Sequence, residues 1–462
     1  MNTRYLNFFD NTFDYWEVEQ SYSLSEEMIK ESLLQTPKSR DSNVSIYIHV
    51  PFCANNCLFC AFAGANSSKL RQIKDYAGLL VKELKMLSSL LSVKNSRIAS
   101  INIGGGSPNL LGENMEYVLN EVCALPGVSE QTEISVESSL NGVDEQFIDI
   151  LKKYNVTKIS FGIQTVDDKI RADMKLLSLK NKILDTVLDK IGDKIKIKNI
   201  DLLVGLPGQS MQKSVQDLEY AMTDKKISAV SIYLLSKSSA VRLPLSLGTQ
   251  ASEHELSKTL ILMHDKLMSE GWIRKGSSTY YRGSIDAESL AKIKGNEAIG
   301  IRRFEDILIS VGPSAIGYAP GIRYENTDDL DTWSEMVKND KLPFNYANSS
   351  LITKKDLTLT LFPLRFEGLL KKDLEKIKEN EAISSKQFET FHKLISEGFI
   401  RENGDKYELS ILGKVFMGNI VHDLKKEADQ RLIEHKIEYK NLLKSGGNGA
   451  GKSQYKYITK NE

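Results

Sequence analysis

The chain has 462 residues, 41% hydrophobic and 26% charged, an ordinary soluble composition with room for a large core and about three domains. Lys plus Arg is 61 and Asp plus Glu is 61, so no net positive charge holds it on nucleic acid. No uncharged apolar run approaches the roughly 18 residues of a membrane span, the N-terminus MNTRYLNFFDNTFDYWEVEQ has no apolar signal region, and four cysteines are too few for a disulfide scaffold, so a reducing, cytoplasmic setting is expected.

Residues 1–43 are polar and aromatic and read as an arm with one helix near Ser25–Gln35. From residue 44 strands and helices alternate. The run VSIYIHV predicts a strand over Val44–Val50, and an amphipathic pattern predicts a helix over Ser68–Leu91. A strand over Ile98–Ile103, a helix over Gly112–Ala124, a strand over Glu133–Glu137 and a helix over Asp144–Tyr154 follow. Then come a strand over Val156–Gln164, a helical stretch reaching Ile191, a strand within Ile195–Leu206, a helix over Gln212–Met222 and a strand over Val230–Leu235. Six strands separated by helices argue for parallel βαβ units, arranged as an open sheet or as a partial barrel. This core spans 44–240. Residues 241–345 are mixed, with a helix near His254–Glu270 and a Gly-rich turn region around Gly312–Gly321. Residues 346–440 show helices and then FIRENGDKYELS, a hairpin around Asn403–Asp405. Helix, helix, hairpin is a winged-helix-like pattern, read as structural because no basic groove accompanies it. In the tail, 441–462, Gly446 to Ser453 match GxxxxGKS literally. A phosphate loop needs a preceding strand and a following helix. A charged helix precedes this one, so it reads as a flexible Gly-rich tail.

Three of the four cysteines, Cys53, Cys57 and Cys60, sit within CANNCLFC; Cys123 lies far away. A zinc site wants four ligands, usually as two pairs, and no second pair exists. His49 is a fourth ligand on paper, but its place in an alternating run favours a hydrogen-bonded strand histidine. Three thiolates in one loop suit a cubane 4Fe–4S cluster with one iron left open, as a catalytic metal keeps a position for substrate. Gly104-Gly105-Gly106-Ser107-Pro108 closes the next strand, where glycines let backbone polar groups approach a ligand. Glu137, Gln164 and Asp201 lie in or at the ends of apolar strands, where a polar group needs a partner and where α/β proteins bind ligands.

YIHVPFCANNCLFC resembles the CxxxCxxC signature of the radical S-adenosylmethionine (SAM) enzymes. More narrowly, Y-x-H-x-P-F-C resembles the oxygen-independent coproporphyrinogen III oxidase (HemN-like) family, including its methyltransferase relatives. The resemblance implies a partial (βα)6 barrel with its site at the C-terminal strand ends, followed by a C-terminal helical/winged-helix-like domain. It implies that Cys53, Cys57 and Cys60 ligate a 4Fe–4S cluster, whose open iron chelates SAM, and that one electron cleaves SAM to methionine and a 5'-deoxyadenosyl radical. Gly105, Gly106 and Ser107 match the family's GGGTP turn, with Ser for Thr. Glu137, Gln164 and Asp201 match its glutamate, FG-x-Q and D-L-x-x-GLPGQ positions, and Tyr47 its SAM-contacting tyrosine. Phe59, Ser236 and Ile316 fall where the family lines its SAM sites, one or two SAM molecules in all. A flavodoxin or ferredoxin electron donor, a small-molecule substrate and a monomer are implied.

The chain departs from the oxidases at Phe62, where they carry a further cysteine, and at Leu176, where they carry a basic residue, here displaced to Lys175. After Arg4-Tyr5 it lacks their RYTSYPT-like segment. These departures favour methyl or methylene transfer to an unsaturated or aromatic carbon from a second SAM. The alternatives are oxidative decarboxylation of coproporphyrinogen III and a heme chaperone, the latter suggested by the aromatic Phe62.

Overall fold

The computed structural model describes residues 26–34, 43–55, 57–60, 73–91, 96–179, 182–235, 243–248, 250–275, 278–293, 306–319, 322–349, 364, 368–379 and 385–426. Ser236, Phe62, Arg4, Tyr5 and the GxxxxGKS segment lie outside the described residues.

Helix α1 (Glu26–Leu34) precedes the core and buries Ile29 and Leu33 against α2 (Ile73–Leu90). Strands β1 (Asn43–Val50), β2 (Arg97–Gly105), β3 (Glu133–Ser138), β4 (Lys158–Gln164), β5 (Ile197–Val204) and β6 (Ala229–Leu234) lie side by side in chain order, all parallel. After α2, the crossovers carry α3 (Asn114–Cys123), α4 (Glu145–Lys153), α5 (Asp168–Asp173) with α6 (Ile183–Ile191), and α7 (Met211–Thr223). Contacts of α2 with α3, α3 with α4, and α4 with α6 make one outer layer of helices. Parallel strands need such crossovers, and their right-handedness curls the array.

Alternation along each strand sorts the chemistry. Val44, Ile46, Ile48 and Val50 of β1 are buried in the apolar core with Ile101, Ile103, Val136, Ile159 and Phe161. The opposite face is polar. Its register runs Tyr47 to Asn102, Asn102 to Ser135, Glu137 to Ser160, Ser160 to Asn199, and Asp201 to Ser231. The fold is therefore an α/β partial barrel whose concave face is lined with polar side chains.

After α8 (Glu253–Ser269), β7 (Ile273–Lys275) and β8 (Thr279–Tyr281) add antiparallel to the β6 edge. Helix α9 (Ala287–Lys292) follows, and β9 (Ile307–Val311) joins the other edge, parallel to β1. Strands β10 (Ile316–Ala319) and β11 (Ile322–Asn326), helix α10 (Leu330–Lys338) and strand β12 (Phe344–Ser349) complete a sheet of twelve described strands that ends openly at β12 and β7. These added strands were not expected from the sequence. The run ILISV of β9 is buried at all five positions, so it has no alternation to read. Past it, β13 (Leu369–Leu370), α11 (Lys371–Glu379), α12 (Ser385–Ser396), β14 (Ile400–Asn403), β15 (Lys406–Leu409), α13 (Ile411–Val415) and α14 (Met417–Lys426) surround a three-stranded sheet in the order β13-β15-β14. Ser410 caps α13 by accepting from the Gly413 N–H at 3.0 Å.

Glu83 of α2 ties the added strands to the core. Its side chain is fully buried. It accepts from the Gly312 N–H at 2.9 Å, Asn326 Nδ2 at 2.6 Å and Trp333 Nε1 at 2.9 Å. Burial pushes its carboxyl up to about 8 while these three donors pull it down. Two turns earlier, the Tyr76 hydroxyl donates to the His49 carbonyl, and its ring packs 5.0 Å from Trp333. Glu83→Ala leaves the buried Gly312 N–H and Trp333 Nε1 without an acceptor and Asn326 Nδ2 with the Gly312 carbonyl alone. It should lower unfolding stability by about 3 kcal/mol, read as an earlier denaturation midpoint; an unchanged midpoint would show that Glu83 is no staple.

Candidate functional site

The cysteine loop leaves the end of β1. Two backbone hydrogen bonds clamp its start to the turn after β2: Gly106 N–H donates to Val50 O and Ser107 N–H to Phe52 O, both at 2.7 Å. The Ser107 hydroxyl reaches Cys53 Sγ at 3.9 Å. Further on, Cys60 N–H donates to Cys57 O, and Leu58 N–H to Met174 O, each at 3.2 Å. Leu58 and Phe59 pack on Ile170, Met174, Leu206, Leu235 and Leu243. Leu176 joins this apolar group, so the position that is basic in the oxidases is used here for packing.

The three thiols feel one another. Burial, then Cys60 and Cys53, push the Cys57 thiol up to about 11, and burial with Cys60 raises Cys53. Among the described residues no three His, Cys, Asp or Glu side chains converge tightly enough for a single metal ion. A cubane spreads its thiolates over different irons, and iron would displace the protons that burial keeps on them. The half-buried triad beside a hydroxyl donor therefore fits a cluster better than a mononuclear ion. Cys123 is a free, partly buried cysteine on α3, which packs outside the sheet.

The glycine turn is built around the site's side chains. A Cβ at Gly104 would stand 2.5 Å from Glu137 Oε2, at Gly105 2.6 Å from the His49 ring, and at Gly106 2.4 Å from Phe52 O. Gly105 also has φ +101°, which disfavours other residues. Its N–H donates to Glu137 Oε2 at 3.3 Å. His49 is a strand histidine: its Nδ1 pairs with the Tyr47 hydroxyl at 2.9 Å, and burial lowers it to about 4, so its ring is neutral at pH 7.

At the far side of this end, Gln164 closes β4 with φ +68°. That left-handed backbone is strained for glutamine, and such strain gathers at binding sites. Two buried groups hold the bend. Asp217 of α7 accepts from the Thr165 hydroxyl and the Val166 N–H at 3.0 and 2.7 Å. Arg171 donates to the carbonyls of Ile163, Thr165 and Leu177 at 2.5, 2.6 and 2.9 Å. The Arg171 charge also draws Cys57 downward. Gln209 serves the neighbouring GLPGQ turn. Its Oε1 accepts from Gly205 and Leu206 N–H at 2.9 and 3.1 Å, and its Nε2 donates to Asp217 at 3.0 Å. Sequence reasoning did not single out Arg171, Asp217 or Gln209; a charged residue buried beside a turn motif was the available signal.

Glu137 and Asp201 rise from the concave face. Burial, then the Asp201 charge, push Glu137 up to about 7, against Gly105, Lys158 and Asn102. Burial raises Asp201, which Asn199 Nδ2 contacts at 2.8 Å. Burial and the Glu137 charge raise Tyr47. The structure thus places Gly105 and Gln164 at the ends of β2 and β4, Gly106, Ser107 and the loop with Cys53, Cys57, Phe59 and Cys60 just past the ends of β2 and β1, and Tyr47, Glu137 and Asp201 on the concave face within β1, β3 and β5. Ile316 instead opens β10, paired with Glu325. The closer neighbour on that stretch is Gly312, where a Cβ would lie 2.5 Å from the His49 carbonyl.

Cys53, Cys57 and Cys60 would hold the cluster. When bound, it supplies the electron that cleaves the SAM sulfonium. The chain's own groups orient: the Gly105–Ser107 turn, its N–H groups spent on Glu137, Val50 and Phe52, fixes the start of the loop, and Glu137 and Asp201 offer carboxylates to a cationic ligand. The apolar packing of Leu58 and Phe59 keeps water from one side of the loop.

Residues 47–221 match the Radical SAM superfamily. The chain is 26% identical over 385 residues to the heme chaperone HemW of Buchnera aphidicola subsp. Acyrthosiphon pisum (strain APS), spanning 82% of this chain and 97% of that protein. It is 32% identical over 180 residues to the oxygen-independent coproporphyrinogen III oxidase of Paracoccus denitrificans (strain Pd 1222), spanning 38% of this chain and 39% of that one. The fold matches coproporphyrinogen III oxidase (HemN) from Escherichia coli, a radical SAM enzyme, with a TM-score of 0.71, 15% identity, and 91% and 96% of the two chains covered. Over its core the chain is thus similar to the HemN-like proteins of the radical SAM superfamily, a superfamily whose cofactors are a 4Fe–4S cluster and SAM.

Anaerobic reconstitution should load iron and sulfide onto wild type and onto Cys123→Ala, while Cys57→Ala loses the brown visible absorption. Retention of that absorption by Cys57→Ala would contradict the ligand assignment.

Proposed function

We propose that the chain cleaves SAM reductively and acts on a tetrapyrrole, with oxidative decarboxylation of coproporphyrinogen III as the reaction. The observation that carries this reading is the assembly of the three-thiol loop, the Gly105–Ser107 turn and Glu137 at one end of the sheet. The tetrapyrrole is supported by relatives named for coproporphyrinogen and for heme. Methyl transfer, expected from the missing oxidase signatures, draws no support from them. An external one-electron donor such as a flavodoxin or ferredoxin, and a monomeric state, belong to the same proposal. Among the described residues no helix is long and apolar enough to cross a membrane.

A second reading is a heme carrier. The match to HemW runs over 97% of that protein, and Phe62 stands where the oxidases carry a cysteine. One experiment separates the two. Reduced, reconstituted protein is incubated anaerobically with SAM and coproporphyrinogen III, and in parallel with heme. The enzyme reading predicts 5'-deoxyadenosine, methionine and carbon dioxide that depend on coproporphyrinogen. Heme retained through gel filtration, with no carbon dioxide released, would replace it with the carrier reading.

A further inference from the structure

Lys158 opens β4 with its side chain completely buried. Burial lowers its ammonium while the charges of Glu133, Asp201 and Glu137 raise it, and its charge in turn lowers Glu137 and Asp201; the ammonium lies 5.9 Å from the centre of the Tyr281 ring. The register explains the convergence. Lys158 pairs with Ser135, and two residues on Ser160 pairs with both Glu137 and Asn199. Even steps along a strand keep one face, so Lys158 shares the concave face with Glu133, Glu137, Asn199 and Asp201. Around it the polar groups are interlinked: Asn199 Nδ2 donates to Ser160 Oγ at 3.2 Å and to Asp201 at 2.8 Å, and the Ser231 hydroxyl donates to Asn199 Oδ1 at 3.2 Å.

A buried lysine is costly unless neighbouring groups need its charge. Here three carboxylates share its layer. Two of them, Glu137 and Asp201, lie towards the ligand end, and each is raised by burial. The Asp201 charge disfavours ionisation of Glu137, and a cation on the same face relieves that. We propose that Lys158 is a positioning residue that keeps Glu137 and Asp201 ionised together, so that both carboxylates face the cationic head of SAM. It touches neither cluster nor SAM in this account and acts only through the pair. The inference rests on the reading that SAM binds over these strand ends. It adds a residue to the site that no ligand-contact argument selects. The other titratable groups on this face are Tyr47 of β1, Glu133 of β3, Tyr233 of β6 and Tyr281 of β8, with the neutral His49 at the rim.

The test is SAM affinity against pH, measured calorimetrically on the anaerobically reconstituted, cluster-loaded chain. The Glu137 carboxyl is held up to about 7. Its negative charge therefore appears as pH rises through neutrality, and wild-type affinity should strengthen from about pH 6 to about pH 8. Lys158 pulls this carboxyl down, so Lys158→Met should move the midpoint of that rise upward by about one pH unit and weaken binding about fivefold at pH 7. Lys158→Arg, which keeps the charge, should stay near wild type. Asp201→Asn removes the charge that pushes Glu137 up and should move the midpoint down. This arm stands even where Lys158→Met does not fold. A wild-type midpoint in folded Lys158→Met, or in Asp201→Asn, overturns the proposal. Wild-type protein that binds no SAM, or binds it with no pH dependence, overturns the underlying SAM reading instead.

Discussion

The close approach of two strand ends governs this molecule. Gly106 and Ser107 donate backbone hydrogen bonds to Val50 and Phe52 across a gap that leaves no room for a Cβ at Gly106. That clamp starts the cysteine loop at a fixed place. It also presses Gly105 onto the His49 ring and Gly104 onto the Glu137 carboxylate. One turn thereby sets the relative positions of a thiol loop and a carboxylate that lie far apart in sequence. The glycines serve packing first; any ligand they cradle uses a turn that the protein has already shaped.

Around the clamp, buried charge is matched group by group rather than avoided. Outside the sheet, Glu83 collects three donors and fastens β9, β11 and α10 to α2. Behind the cysteine loop, Arg171 gathers carbonyls on both sides of the Gln164 bend. On the concave face, carboxylates outnumber the lysine. A ligand bearing a sulfonium and an ammonium would offset that excess. The electrostatics of the sheet therefore agree with the chemistry of the cysteine loop, although different strands supply them.

Much of this was legible in the sequence. The six parallel strands stood out because each interrupts a helix pattern, and their observed ends differ from the expected ones by a few residues. The helix expected over Asp144–Tyr154 is α4, and the hairpin around Asn403–Asp405 joins β14 to β15. The strands at 273–349 were not legible. β9 is buried throughout, and β7, β8 and β10 are too short to show a period. The site cysteines were legible from spacing alone. Lys158 was not, although a lysine in the apolar run KISFGIQ was visible; which face it shares depends on a register that no local pattern specifies. Leu176 read as a missing contact and instead completes the packing behind Phe59.

The central claim is that three protein thiolates leave one iron free to bind SAM. Electron paramagnetic resonance of the reduced, reconstituted chain tests it most directly. Added SAM should change the spectrum of the reduced cluster, because the ligand enters the coordination sphere of the open iron. A reduced cluster whose spectrum is the same with and without saturating SAM would mean that no iron is open, and the account would fail.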